Sequence, residues 1–346
     1  MSRFAAAVLL ALACSGCFPS APASDEEWRL YQQLYISPEG RVIDTGNVGV
    51  SHSEGQGVGL LLAVHSNDRA VFDRIWQWTR SNLQIRTDRL FSWKWVPSAT
   101  GGSRPDTNNA TDGDLFIAWA LYRAGRQWNE ASYLEAAREI SRDIRAKLLH
   151  PSPYGLLLLP GEQGFLKNGE VTVNLSYWMF PALQDLNRLD PAPEWGQLIE
   201  SGLQLLKTGR FGRWQLPADW MRLADKPGIA PDFKPRFGYD AMRIPLYLIW
   251  AKLDDPDNLK PFNDFWGYFK SAPFLPAWSN LIDDSVDSHN ASPGIQAIVR
   301  LASLPKDSAR AKNHMNLRPK LSPDQAYYSA SLLFLTKMAA LESSAR

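Results

Sequence analysis

Four carboxylates stand where loops rich in glycine or turn residues run into helix-like segments: Glu54 in "VSHSEGQGVG", Asp112 and Asp114 in "NNATDGDLF", and Asp240 in "PRFGYDAMRIP", with Arg243 three residues further on. The glycines at 55, 57 and 59 allow a tight turn and the close approach of a ligand, unusual surroundings for a glutamate that only meets solvent. A plain helix start is the other reading, with Ser51 or Ser53 as cap and Glu54 favoured by the helix dipole. Thr111 or Asp112 can likewise cap a helix whose first turn holds Asp114, although one aspartate suffices for that job. Asp240 and Arg243 read either as an exposed helical ion pair, worth a few tenths of a kcal/mol, or as a carboxylate held ionised by a fixed cation, which a general base requires.

The elements that must position these groups are helical. Apolar residues recur at helical spacing, or in long runs of the buried type, over 26–35, 57–66, 70–83, 112–124, 130–148, 173–186, 195–208, 243–253, 289–301 and 323–341. Few strands are expected. The connections are long and rich in Gly, Pro and Asn, among them "SATGGSRPDTNNA", "HPSPYGLLLLPGEQGFLKNGE" and "ADKPGIAPDFKPRFGYD", and loops of that length are usually functional. No linker or composition break divides the chain. In a helical barrel the loop-to-helix junctions that carry the carboxylates can all line one end.

Composition bounds the partners. Lys+Arg 37 against Asp+Glu 36 leaves a formal net charge of +1, so no overall field draws nucleic acid or an anionic membrane. The chain is rich in aromatics, with Trp 14, Tyr 11 and Phe 15, which suits stacking on flat ligands as well as a large helical core. His52, His65, His150, His289 and His314 show no paired ligand spacing, so no metal is expected.

The N-terminal "MSRFAAAVLLALACSGCFPSAPA" reads as a secretory signal peptide: a basic Arg3, an apolar run over 4–13 and then small residues, too short for a stable membrane span. Two exits stay open, cleavage after Ala23 or lipoprotein processing that leaves a lipid on Cys17. Both send the protein out of the cytoplasm, to the periplasm or beyond, as a single domain over 24–346 with no transmembrane helix in the mature chain. Cys14 and Cys17 are the only cysteines, so that mature chain has no disulfide.

The segment "ATDGDLFIAWALYRAGRQW" (110–128) resembles the signature of glycoside hydrolase family eight, with Tyr122 at its one loose position. "SEGQGVGLLLAV" (53–64) is similar to that family's catalytic-acid segment, with Val58 where an aromatic is common, and "RFGYDAMRIPLYLIW" (236–250) resembles its catalytic-base segment. All three follow in the family's order and spacing, and the likeness is greatest to periplasmic endoglucanases encoded with bacterial cellulose synthase. The resemblance implies an all-α (α/α)6 barrel with a long-loop substrate cleft at one end, acting without a cofactor as a monomer on a β-1,4-glucan chain such as cellulose, with the cellulose synthase and export complex as a further partner. Six inner and six outer helices are two more than the ten runs above, so a further helix is expected in the aromatic and proline-rich stretch 256–278.

It also implies roles. Glu54 is the general acid and Asp240 the general base of an inverting hydrolysis, which needs carboxyls roughly 6.5–9.5 Å apart so that a water fits between base and sugar. Glu54 must then hold a proton near neutral pH, while Arg243 keeps Asp240 ionised. Asp112 holds the distorted sugar, Asp114 supports the helix start, and Tyr177 helps place the water. Trp93, Trp95, Trp178 and Trp220 lie in or beside the expected cleft loops and could stack on sugar faces, although a tryptophan in a helical barrel more often belongs to the core. Chitosan, xylan or mixed-linkage glucan are the alternative substrates. A non-catalytic glucan-binding component is the alternative outside enzymes, and an intact acid and base pair speaks against it.

Overall fold

Some helices of this chain are apolar on every side and others carry a clear polar stripe, and that difference sorts them into layers. The computed structural model describes residues 25–98, 101–103, 106–304 and 320–344, so the expected signal peptide, Cys14 and Cys17 lie outside the described residues. Helices α2 (Ser53–His65), α4 (Thr111–Gln127), α8 (Ile244–Trp250) and α11 (Tyr327–Ser344) are buried over most of their surface. Between them in sequence come α3 (Arg69–Leu83), α5 (Ala131–Leu148), α7 (Pro193–Thr208) and α9 (Pro256–Tyr268), each burying one face. Helices α1 (Asp25–Tyr35), α6 (Phe180–Leu189) and α10 (Pro293–Ser303) complete the set among the described residues. One apolar core runs through all of them, from Trp28 to Ala340.

Two glycines set how closely α2 and α4 pack. A Cβ at Gly57 would lie 2.4 Å from the Phe116 Cβ, and one at Gly113 would lie 2.0 Å from the Ser53 Oγ and 2.7 Å from the Glu54 amide nitrogen. Only glycine permits this approach, and it draws the N-terminus of α4, with Asp112, against the N-terminus of α2, with Glu54.

The helix expected in 256–278 is present as α9. The run at 173–186 is a correction: Val173 ends a strand, Leu175–Tyr177 form a 3-10 turn, and the helix begins only at Phe180. The Asn174 Oδ1 accepts the Ser176 N–H at 3.0 Å and its hydroxyl at 2.8 Å, which competes with helical hydrogen bonding. Pro181 then sets the start of α6. The helix expected from 289 likewise starts at Pro293.

The long connections carry short strands. Strands β1 (Ser51–His52) and β2 (Lys94–Trp95) pair antiparallel, with Ser51 opposite Trp95. A hairpin joins β3 (Leu149–Ser152) to β4 (Gly155–Leu158). Strands β5 (Leu166–Lys167), β6 (Glu170–Val173), β7 (Met221–Leu223) and β8 (Pro227–Ile229) form an antiparallel sheet in chain order, with Val173 opposite Met221. Strand β9 (Arg236–Phe237), just ahead of Asp240, pairs with β10 (Ser279–Asn280). The loops that hold the candidate site are thus pinned to one another across the chain.

Candidate active site

Glu54 opens α2, but neither Ser51 nor Ser53 caps it. The cap is His52, whose Nδ1 accepts the Gly55 N–H at 2.9 Å while its Nε2 lies 3.4 Å from the Asp44 carboxylate. That arrangement requires the neutral tautomer with its proton on Nε2. The Ser53 N–H donates to the Trp93 carbonyl at 3.0 Å, so the β1–β2 ribbon fixes where α2 begins.

On α4 neither Thr111 nor Asp112 serves as cap; the capping position is Ala110, with no side-chain bond. The Thr111 hydroxyl instead donates to the Leu159 carbonyl at 2.6 Å. Asp112 and Asp114, both buried, then part company. Asp114 accepts the Phe91 N–H at 2.9 Å and the Asn109 side-chain amide at 2.7 Å, tying together the loops before and after β2. Burial pushes its carboxyl up to about 7 against these bonds. Asp112 spends one oxygen on the Gly113 N–H at 2.8 Å. Burial first, and the nearby Glu54 second, hold its carboxyl well above the usual carboxylate range, with Arg243 pulling the other way.

Arg243 joins the three stretches. Its side chain is 4% exposed, which rules out the reading as an exposed helical ion pair. Nη1 is bonded to Glu54, while Nη2 donates to Asp240 at 2.8 Å and to the Ser176 hydroxyl at 2.9 Å. One guanidinium therefore lies between the two carboxylates and holds each by a different nitrogen. Burial works against its charge, and Glu54 first, with Asp240 beside it, keeps it cationic.

Asp240 leads the 3-10 turn Ala241–Arg243 that runs straight into α8, with 29% of its side chain still open. Its carboxyl is pushed up to about 6: the partial burial of the cleft wall raises it most, Arg243 lowers it, and Asp219 and Glu54 raise it further. At pH 7 it remains mostly ionised. The Asn174 side chain also favours the ionised form. Tyr177 faces the same cluster; burial and then Asp112, Asp240 and Glu54 push its phenol well above its ordinary value, so it stays a neutral hydroxyl.

The four tryptophans divide. Trp178 is fully buried, with its indole N–H on the Leu198 carbonyl at 2.9 Å, and the expectation of a sugar platform there is overturned: it is a core residue. Trp95 is buried at 8% exposure, under Arg41 and edge-on to Trp78, and offers no open face either. Trp220 keeps some exposure, but its ring lies nearly parallel to Phe233 at 4.2 Å and to Phe165 at 5.7 Å, and edge-on to Tyr177 at 6.0 Å. Trp93 is part-exposed, with its indole N–H pinned to Asp106 at 2.8 Å, and is the best placed of the four.

The sequence reading missed several residues at this site. Tyr239, 40% exposed and adjacent to Asp240, packs edge-on against Tyr328, whose hydroxyl donates to the Tyr239 carbonyl. Asp219 sits one residue before Trp220 and accepts the Gly238 and Ala241 N–H groups on either side of Asp240. An aromatic beside a motif aspartate was the only signal that could have raised Tyr239. Among the described residues, no group of three or more His, Cys, Asp or Glu side chains is arranged to hold a metal ion.

Loop-borne carboxylates at one end of nested helices, bridged by a single arginine, define the class of a carboxylate-dependent hydrolase. The chain belongs to glycoside hydrolase family 8: residues 1–341 match the family described as Glycosyl hydrolases family 8. It is 41% identical over 337 residues, 96% of this chain and 95% of the relative, to a probable endoglucanase of Novacetimonas hansenii. It is 36% identical over 302 residues, 85% of this chain and 82% of the relative, to an endoglucanase of Cellulomonas uda. The solved endo-beta-1,4-glucanase CMCax from Acetobacter xylinum is similar with a TM-score of 0.83 at 38% identity, covering 92% of this chain and 98% of that one. The nested helices are those of an (α/α)6 barrel.

Proposed function

We infer that the protein is an endo-β-1,4-glucanase that hydrolyses internal bonds of a cellulose chain with inversion at the anomeric carbon. The observation that carries this reading is the Arg243 bridge between Glu54 and Asp240, with Asp112 drawn alongside by Gly113. Such a pair supplies both proton transfers of a glycoside hydrolysis. Glu54 gives its proton to the departing glycosidic oxygen. Asp240 takes a proton from a water, which attacks the anomeric carbon from the opposite face as the bond breaks. Arg243 keeps Asp240 ionised for that step, and it must release Glu54 as the sugar enters, so that Glu54 takes up from solvent the proton that it then donates. The Tyr177 hydroxyl orients the water. Asp112 holds the hydroxyls of the distorted sugar, where a buried acceptor gains most from a hydrogen bond. Trp93 and Tyr239 provide open aromatic surface along the groove.

The N-terminal sequence and the segment likeness to glucanases encoded with cellulose synthase support a place outside the cytoplasm beside the synthase and export complex. Among the described residues, no helix is long and apolar enough to cross a membrane. Release of reducing ends from carboxymethyl cellulose by wild type and by Glu54→Gln, with chitosan and xylan in parallel, tests the activity. The reading expects cleavage of the cellulose derivative by the wild type alone. Cleavage confined to another glycan would replace the substrate, and binding without cleavage would replace the enzyme by a scaffold.

A further inference from the structure

We propose that Asp219 is a positioning residue that aims the base, an inference that rests on the reading of Asp240 as that base. Asp219 comes from the segment that enters β7, far from Asp240 along the chain, and is 3% exposed. Its Oδ1 accepts two backbone N–H groups, from Gly238 at 2.8 Å and from Ala241 at 2.9 Å. Those two residues straddle Tyr239 and Asp240, so one carboxylate oxygen grips the main chain on both sides of the base. The Oδ2 accepts the Arg236 Nε at 3.0 Å, and the Asp219 N–H donates to the Arg236 carbonyl at 2.8 Å. A side chain at position 238 would not fit beneath this grip, since a Cβ there would lie 2.9 Å from Oδ2 and 2.8 Å from the Arg236 Nε.

The division of labour follows. Arg243 orients the Asp240 carboxylate, whereas Asp219 fixes the backbone from which that carboxylate projects. Hydrogen bonds to an ionised carboxylate are about twice as strong as neutral ones, and a buried one left unmade is costly, so the turn has one favoured position. The Asp219 charge also favours a proton on its neighbour Asp240, in keeping with a base that must pick one up.

The test measures kcat and KM for Asp219→Ala and Asp219→Asn beside wild type, with Asp240→Asn as control and thermal melts to confirm folding. An asparagine oxygen can still accept both N–H groups but its amide opposes Arg236. Displacing a reacting group by about 1 Å costs on the order of 10²-fold. Asp219→Ala should therefore lose about that factor in kcat and Asp219→Asn about 10-fold, each with KM within about threefold of wild type. A folded variant with kcat within about twofold of wild type, or a loss seen only in KM, overturns the proposal. Should the alanine variant fail to fold, the asparagine variant decides alone. An active Asp240→Asn would instead sink the assignment of the base, while an inactive one beside fully active Asp219 variants sinks only this inference.

Discussion

Gly113→Ala puts the close approach of α2 and α4 to a direct test. The added Cβ would lie 2.6 Å from the Ser53 Cβ and 2.7 Å from the Glu54 amide nitrogen, about 0.8 and 0.7 Å inside ordinary contact at 3.4 Å. The Ser53 hydroxyl, 2.0 Å away, can rotate, but the Glu54 backbone cannot, so the start of α2 must retreat from α4 by most of an ångström. Glu54 and Asp112 then part by a similar amount. A misplacement of about 1 Å costs on the order of 10²-fold in turnover. Stability should change little by comparison, because overpacking costs roughly 1–3 kcal/mol and the exchange of glycine for alanine in a helix returns about 1 kcal/mol. Gly267→Ala on α9 is the control: nothing lies within 4 Å of its Cβ, so it should gain stability at unchanged rate. Initial rates on carboxymethyl cellulose with melting curves read both. A Gly113→Ala enzyme within twofold of wild type would mean that the contact between α2 and α4 does not set the position of Glu54.

Asp112→Ala should abolish turnover in a folded protein, whereas Asp114→Ala should mainly lower the melting temperature; the reverse pattern would exchange their roles. Asp114, raised from an unfolded value of 3.8 to about 7, is protonated more readily folded than unfolded, so the stability it gives is full below pH 4 and lost as pH rises through 7. Three units correspond to about 4 kcal/mol, and Asp114→Asn should remove that slope from urea titrations at pH 4 to 8. The rate should fall as pH drops through about 6, where Asp240 takes up a proton and ceases to act as base; a pH–rate profile flat down to pH 4 would contradict it. Trp93→Ala should raise KM for cellulose oligomers with little loss of stability, while Trp178→Ala, which empties a core site, should cost about 3–5 kcal/mol in denaturant melts.

The carboxylates were legible because each stands at a loop-to-helix junction among glycines or turn residues. Gly113 and Gly57 turn out to permit contact between two inner helices, which composition alone does not reveal. The caps were misread because His52, not a serine, takes the Gly55 N–H, and Ala110 offers no side-chain hydrogen-bond acceptor. The helix expected from 173 failed on turn chemistry at Asn174. Strands of two to four residues leave no periodicity, and Val173 finds its partner only at Met221. Asp219 was invisible for a similar reason: it serves backbone N–H groups 19 and 22 residues away. Aromatic identity does not say which way a ring faces, hence a buried Trp178 beside a part-exposed Tyr177.

Inversion needs an acid and a base acting across one bond with a water between them. Proton NMR of the anomeric region during the first minutes of hydrolysis of a cello-oligosaccharide, before mutarotation, tests it most directly. With inversion at a β-linked bond the α-anomer appears first, and Glu54→Gln and Asp240→Asn give no product. A β-anomer as the first product would mean a covalent intermediate on one of these carboxylates and would contradict the inverting assignment.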